Sequence, residues 1–281
     1  MQKIVLPTDF SDNAWNAIFT AIKLYADVKC NFYILHAYEP QLLNMLDQKG
    51  QQRLGVLYDS MAQYSKQELE KILGYLNENY TNPNHNFEII SRSETLEEAV
   101  MEILSTEDMD LIVMGTQGAT GSKEIFIGSN TVKILKNIKN CPVLVVPSDY
   151  NFQRLKTLAF PTDFSRTYKK FELTYLTELA ALWKAEIQIL YVAVEFILND
   201  SQESNRRILG ERLAGLNYSF QNVKFEGNVS NSIEKYLAEN KVDFMTMIRH
   251  HHGFWEKVIG EPIVKKMAFH SKVPVLMLPE Q

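Results

Sequence analysis

The sequence has few cysteines, no long apolar run and no excess of basic residues, and each absence excludes a class of protein. Only Cys30 and Cys141 are present in 281 residues, which excludes a disulfide framework and predicts a reducing, cytoplasmic location. No run of about 18 apolar residues occurs, so we expect no membrane partner. The formal net charge is −5, and nucleic-acid binding depends on neutralising phosphates, so we expect no nucleic-acid partner either.

Two halves of the chain resemble each other. The residues PTDFS occur at 7–11 and again at 161–165, each time after an apolar run and before a helical pattern. The halves also end alike, with NCPVLVVP at 140–147 and KVPVLMLP at 272–279. Alternating strand and helix patterns predict right-handed βαβ units, and therefore a doubly wound α/β sheet in each half. We expect two tandem domains, 1–147 and 154–281, on either side of the polar segment 148–153.

Several local features are predicted less directly. Ser11 and Ser165 stand where helix N-caps are expected, because a hydroxyl can accept a hydrogen bond from an N–H of the first turn. In the second half, short apolar runs predict strands at 223–227 and 243–248. The longer stretch 195–221 is polar and is interpreted as a connection.

The acidic residue of each PTDFS copy, Asp9 or Asp163, follows the first strand of its half. In an open α/β sheet, ligands bind beyond the carboxyl ends of the strands, at the point where the strand order reverses. A carboxylate at that point can accept hydrogen bonds from a ribose hydroxyl or a base amine. The alternative is that Asp9 only stabilises the positive end of the helix that follows it.

The stretch MGTQGATGSKEIFIGSNTVKIL, at 114–135, combines glycines with the start of a helix. Gly115 and Gly118 follow the fourth strand, and Gly128 with Ser129 opens the helix. Glycines allow close backbone approach, and the free N–H groups of a helix start form an anion site, which suits a di- or triphosphate. The stretch is neither a Walker A loop nor the G-x-G-x-x-G fingerprint. The alternative is that these are ordinary turn glycines before a helix.

Together, PTDFS and the spacing G-x2-G-x9-G-[ST] resemble the universal stress protein family, and in particular its ATP-binding subgroup. The resemblance covers both halves and implies, in each, a five-stranded parallel sheet of order 3-2-1-4-5 with helices on both faces. It implies ATP, or AMP or ADP, as the ligand, and leaves Mg²⁺ open. The residues that it assigns to the nucleotide are Pro7, Thr8 and Asp9 for adenine and ribose, Ala37 for the base, Met114 and Gly115 beside the ribose, and Gly118, Gly128, Ser129 and Asn130 for the phosphates.

The second half departs from this pattern. Alignment of its fourth strand with that of the first half places Ile248 at the position of Gly115, and Glu261 at the position of Ser129. A carboxylate in a phosphate cradle repels the ligand, so we expect no polyphosphate site there. The loop RHHHGFW at 249–255 is interpreted as solvated or pocket-filling, because a metal would need further ligands that the sequence does not indicate. No metal site and no catalytic residue are predicted.

The resulting hypothesis is a cytoplasmic stress-response protein that binds an adenine nucleotide in its first half. The second half would pair with it as a built-in dimer partner through PVLVVP and PVLMLP, and a further homodimer stays open. Two alternatives are kept. One is a slow ATP hydrolase or phosphoryl-transfer enzyme that uses the same pocket, and the other is an interaction scaffold without nucleotide.

Overall fold

The computed structural model describes residues 1–38, 48–116, 128–193, 197–249 and 271–279, without the side chains of residues 48–58 and 193. Strands and helices alternate in both halves. The elements of the first half are β1 (Gln2–Pro7), α1 (Asp12–Leu24), β2 (Cys30–Ala37), α2 (Gln48–Asn79), β3 (His85–Arg92), α3 (Leu96–Thr106), β4 (Leu111–Gly115), α4 (Ser129–Asn137) and β5 (Val143–Val146). Those of the second half are β6 (Thr157–Pro161), a 3-10 helix (Lys170–Leu173), α5 (Thr174–Trp183), β7 (Glu186–Ala193), α6 (Asp200–Arg212), β8 (Tyr218–Lys224), α7 (Val229–Glu239), β9 (Phe244–Ile248) and β10 (Val275–Leu278).

These strands form one ten-stranded sheet in the order β3-β2-β1-β4-β5-β10-β9-β6-β7-β8. Strands within each half are parallel, and the order 3-2-1-4-5 is confirmed in both halves. The halves meet where β5 and β10 pair antiparallel, with Val145 opposite Val275 and Val143 opposite Met277. The carboxyl ends of the strands in the two halves therefore lie on opposite edges of the sheet.

Helices cover both faces of the sheet, which explains why the strand sequences are continuously apolar. On one face, Ile18 of α1 and Leu69 of α2 pack in the same core as Ile4 of β1. On the other face, Val100 of α3 and Ile134 of α4 pack with the opposite side of the strands. Among the described residues, no helix is both long and apolar enough to cross a membrane.

The connection between the halves is part of the core despite its polar sequence. The side chains of Phe152 and Leu155 are 1% and 0% exposed, and the ring of Phe152 lies 5.9 Å from that of Phe244 in β9. The side-chain amide of Asn16, on α1, donates hydrogen bonds to the carbonyls of Pro147 at 3.0 Å and Tyr150 at 2.7 Å. The segment is thereby fixed to both halves.

The helix that follows PTDFS starts differently in the two halves. Ser11 caps α1 as predicted, because its hydroxyl accepts a hydrogen bond from the N–H of Ala14 at 3.3 Å. The prediction for Ser165 is wrong, since the helical segment begins only at Lys170. Two contacts hold the intervening residues out of a helix: the guanidinium of Arg166 pairs with the buried carboxylate of Glu172 at 2.9 Å, and the Tyr168 hydroxyl lies 2.9 Å from that of Thr162.

The middle of the second half also corrects the sequence analysis. The expected connection 195–221 contains helix α6, and strand β8 covers Tyr218–Lys224 rather than 223–227. Leu209 and Gly210 are the buried residues of α6, so the helix has no apolar stripe that a periodicity argument could detect. β8 lies at the edge of the sheet, where Val223 is its buried residue, and the usual alternation of a strand is weak.

Candidate functional site

The strand order reverses between β1 and β4, because the chain runs outward from β1 to β2 and β3 and then returns to the other side of β1. The carboxyl ends of β1, β2 and β4 lie side by side in parallel register. Residues that directly follow or end these strands therefore share one edge of the sheet. This edge carries Asp9, Ala37 and Gly115, and it is the place where ligands of open α/β sheets bind.

The first PTDFS copy folds into a loop held by its own hydrogen bonds. The Thr8 hydroxyl accepts a hydrogen bond from the N–H of Phe10 at 3.0 Å. One carboxylate oxygen of Asp9 accepts from both the N–H of Ser11, at 3.2 Å, and its hydroxyl, at 2.6 Å. Phe10 adopts a φ of 67°, a left-handed conformation that is uncommon outside glycine. The bonds on either side of Phe10 offset the cost of this conformation, so the loop presents Asp9 in a fixed position.

The second PTDFS copy adopts the same loop. The Thr162 hydroxyl accepts from the N–H of Phe164 at 3.0 Å, and the Asp163 carboxylate accepts from the N–H of Ser165 at 2.9 Å. Phe164 has a φ of 54°. The repeated five residues thus specify a loop geometry in both halves, whatever each half binds. The motif alone is not evidence for a ligand in the second half.

Gly115, at the end of β4, is needed for the packing of α1. A Cβ atom at this position would lie 2.5 Å from Oδ1 of Asn13, whose side chain is 6% exposed. Val146, the last residue of β5, pairs with Gly115 in the sheet. The absence of a side chain at Gly115 is therefore explained on one face of the sheet by Asn13, a contact that the sequence analysis missed.

Helix α4 begins at the same edge. Its N-cap is Gly128, whose N–H donates to the carbonyl of Thr116 at 2.7 Å. The first intrahelical hydrogen bond runs from the N–H of Val132 to the carbonyl of Gly128, so the amides of Ser129, Asn130 and Thr131 precede it. The first turn carries no acidic residue, and the described residues supply no side-chain cap. The amide of Gly128 is thus already bonded, whereas the turn after it has the polarity of an anion site.

The other predicted site residues are placed as follows. Pro7 is buried and ends β1, and Ala37 is half-buried at the end of β2. The side chain of Met114 is 4% exposed and packs in the core under α3 and α4, so this residue can present only its backbone at the edge. Ser129 and Asn130 are exposed. Gly118 lies outside the described residues.

His36 lies beside the Asp9 loop, in a small network of hydroxyl groups. Its Nδ1 is 2.8 Å from the Ser65 hydroxyl, which is 2.7 Å from that of Ser91. The ring of Phe10 lies over it at a centroid distance of 4.4 Å. Burial lowers the pKa of His36 below its usual value, and the Asp9 carboxylate opposes this effect.

The second half lacks the corresponding geometry where it is described. Ile248 ends β9 and is 3% exposed, and Thr167, two residues after Ser165 as Asn13 is two residues after Ser11, is exposed. Glu261 and the RHHHGFW loop beyond Arg249 lie outside the described residues.

Comparison with known proteins agrees with this architecture. Residues 1–147 match the sequence profile described as the Universal stress protein family. The chain belongs to the universal stress protein family. It is similar to two universal stress proteins of Methanocaldococcus jannaschii: MJ0531, with 29% identity over 52% of this chain and 81% of that protein, and MJ0577, with 30% identity over 52% of this chain and 94% of that protein.

Solved structures of universal stress proteins extend the similarity in fold to the second half. A universal stress protein from Archaeoglobus fulgidus aligns with 99% of this chain and 96% of its own, with a TM-score of 0.64 and 17% identity. A putative universal stress protein from Pseudomonas aeruginosa aligns with 99% of this chain and 93% of its own, with a TM-score of 0.61 and 14% identity. At these identities the likeness shows the fold, and the ligand has to be argued from the site.

Proposed function

We propose that this universal stress protein is a cytoplasmic stress-response protein that binds ATP, or another adenine nucleotide, in its first half. The observation that carries the proposal is the convergence, at the reversal point of the first half, of the fixed Asp9 loop with the start of α4. A carboxylate accepts hydrogen bonds from ribose or adenine, and the first-turn amides of a helix donate to phosphate oxygens. The buried, unpaired thiols of Cys30 and Cys141 agree with a reducing compartment.

In this arrangement, Pro7, Thr8, Asp9 and Ala37 form the adenine and ribose side, with the backbone of Met114 and Gly115 opposite. Ser129 and Asn130 contribute exposed side chains and amides to the phosphates, and Gly128 contributes the bend into α4. Gly118 belongs to the proposed phosphate side on sequence grounds alone.

The second half is proposed to act as a built-in partner rather than a second nucleotide site. Its β10 pairs with β5, which covers a strand edge that would otherwise be open. Ile248 fills the position of Gly115 with a buried, branched side chain. A nucleotide stoichiometry of about one per chain follows from this difference between the halves.

Calorimetric titration with ATP, with and without Mg²⁺, tests the proposal, and the two PTDFS loops offer a matched pair of variants. Asp9→Ala and Asp163→Ala each remove a carboxylate that accepts from the N–H of the serine two residues later. Asp9 also accepts from the Ser11 hydroxyl, so Asp9→Ala removes one more hydrogen bond than Asp163→Ala, and the unfolding free energy of both variants has to be measured beside the titration. We expect Asp9→Ala to weaken ATP binding at least tenfold, a change of about 1.4 kcal/mol, and Asp163→Ala to leave it unchanged. Absent ATP binding, two equivalents per chain, or equal effects of the two variants would overturn the proposal.

A further inference from the structure

One side chain of α1 holds the ends of two strands at the candidate site. The Nδ2 of Asn13 donates a hydrogen bond to the carbonyl of Val146, the last residue of β5, at 3.1 Å. Its Oδ1 accepts a hydrogen bond from the hydroxyl of Thr116, the residue after β4, at 3.3 Å. Asn13 is two residues after Ser11, which ends the Asp9 loop. Its two hydrogen bonds therefore link the helix that follows this loop to the ends of β4 and β5.

Thr116, which is bonded to Asn13, and its neighbour Gly115 in turn fix the start of α4. The carbonyl of Thr116 accepts the N–H of Gly128, the N-cap of α4, at 2.7 Å. The carbonyl of Gly115 accepts the hydroxyl of Thr131, in the first turn of α4, at 3.0 Å. Both bonds join the start of α4 to the end of β4, from residues 12 and 16 positions apart in the chain. The position of the first-turn amides therefore depends on Thr116, and Thr116 is bonded to Asn13.

The second half differs from this arrangement at the positions of both Gly115 and Asn13. Gly115 leaves the space that Asn13 occupies, whereas Ile248 fills the aligned position with a buried side chain. Thr167, at the position of Asn13, is exposed, and the helical segment starts only at Lys170. Among the described residues, the halves thus differ at the end of the fourth strand and at the start of the helical segment after PTDFS. These differences add to the sequence differences in the loop after the fourth strand.

We propose that Asn13 is a positioning residue for the polyphosphate part of the nucleotide. It acts through Thr116 and Gly128, and sets the distance between the first-turn amides of α4 and the Asp9 loop. The inference rests on the proposed function, and it adds a residue to which neither PTDFS nor the glycine spacing assigns a role. Loss of Asn13 should weaken ligands that use α4 more than ligands that use only the Asp9 side.

Asn16 provides the matched control. It lies on the same helix, and its side-chain amide also donates to backbone carbonyls after β5, those of Pro147 and Tyr150. Its bonds fix the connection between the halves and do not reach Thr116. We expect Asn13→Ala to weaken ATP binding about tenfold and adenosine binding less than about twofold. We expect Asn16→Ala to lower the thermal midpoint while leaving the ratio of ATP to adenosine affinity at its wild-type value.

Amide hydrogen exchange of the nucleotide-free protein gives a readout that does not depend on binding. Asn13→Ala should speed exchange of the Gly128 amide about tenfold relative to Asn16→Ala, because the Thr116 carbonyl that accepts it is then less restrained. Equal losses for ATP and adenosine, or unchanged exchange at Gly128, overturn the inference while ATP binding by the wild type keeps the proposed function. A wild type that binds neither ligand overturns the proposed function, and the inference about polyphosphate falls with it.

Discussion

The indole N–H of Trp183, at the end of α5, donates a hydrogen bond of 3.0 Å to the carbonyl of Leu24, at the end of α1. The donor belongs to the second half and the acceptor to the first. The ring of Trp183 also packs edge-on against Phe152 of the connection, at 5.5 Å between centroids. The halves therefore share core contacts in addition to the paired strands β5 and β10.

Trp183→Phe tests whether this contact couples the halves. The substitution keeps an aromatic ring and removes the hydrogen bond to Leu24, so the free energy of unfolding should fall by about 1 kcal/mol. Urea denaturation followed by far-UV circular dichroism and by tyrosine fluorescence measures it. We expect one coincident transition in both proteins, and two separated transitions in the wild type would show that the halves unfold independently.

The contact between Gly115 and Asn13 predicts a non-additive pair. Gly115→Ala places a Cβ 2.5 Å from Asn13 Oδ1, and such overpacking should cost about 1–3 kcal/mol. Asn13→Ala removes the Oδ1 atom with which this Cβ would clash, so the double variant should lose less stability than the sum of the losses in the two single variants. Thermal or urea denaturation of the four proteins closes the cycle. Strict additivity would mean that the Cβ is accommodated elsewhere.

Ser129→Glu separates stability from ligand binding. Ser129 is the exposed first residue of α4, where a carboxylate interacts favourably with the helix dipole and should stabilise the fold by roughly 0.3–1 kcal/mol. The same charge should repel the phosphates and weaken ATP binding at least tenfold, which corresponds to a loss of about 1.4 kcal/mol in binding free energy. Ser129→Gln, of similar size and neutral, is the control. A Glu variant that keeps wild-type ATP affinity would place the phosphates away from α4.

Buried tyrosines predict a loss of stability at alkaline pH. Burial raises the pKa of Tyr168 to about 12, and burial also raises the pKa of Tyr25 and Tyr175, whose hydroxyls meet across the two halves. In the unfolded chain these groups titrate near their usual value of about 10. The folded state therefore keeps protons that the unfolded state releases. The contribution of these tyrosines to the free energy of unfolding is fully present below about pH 10 and falls as the pH rises from about 10 towards 12.

Tyr168→Phe checks the sign of this effect. The variant lacks one of the groups that hold their protons, so its unfolding free energy should decline less steeply above about pH 10 than that of the wild type. Denaturation at a series of alkaline pH values measures the slope, and tyrosinate absorbance of the native protein follows ionisation directly. A slope equal to that of the wild type would show that Tyr168 ionises in the folded protein at its ordinary pKa.

The sequence pattern predicted the layered α/β fold because that fold leaves strong signals, whereas the strand order was implied by the family resemblance. Buried parallel strands are continuously apolar, and the PTDFS copies mark equivalent points in the two halves. Helix α6 left no such signal, since most of its surface faces solvent, and the Ser165 cap failed because Arg166 finds its partner Glu172 by a contact that spacing alone does not indicate.

The candidate site was predicted from motif residues, and those that are described lie at one sheet edge, with the Met114 side chain as the exception. What the sequence could not show is the support beneath them. Asn13 meets Thr116 and Val146 across more than 100 positions of the chain, and such contacts appear only once the strands are placed. In the sequence alone, nothing distinguishes Asn13 from the other positions of α1, because its partners become known only when the ends of β4 and β5 are placed beside it.

The antiparallel junction of β5 and β10 changes what evolution can alter in this molecule. Two separate copies of a subunit must find each other from solution, and their junction weakens on dilution. Two halves on one polypeptide are always made in equal number, and the covalent connection keeps them at a local concentration of millimolar order. The junction strands must then stay apolar, whereas a half that is not required to bind nucleotide, as proposed for the second, can carry a bulky residue such as Ile248 at the position of Gly115.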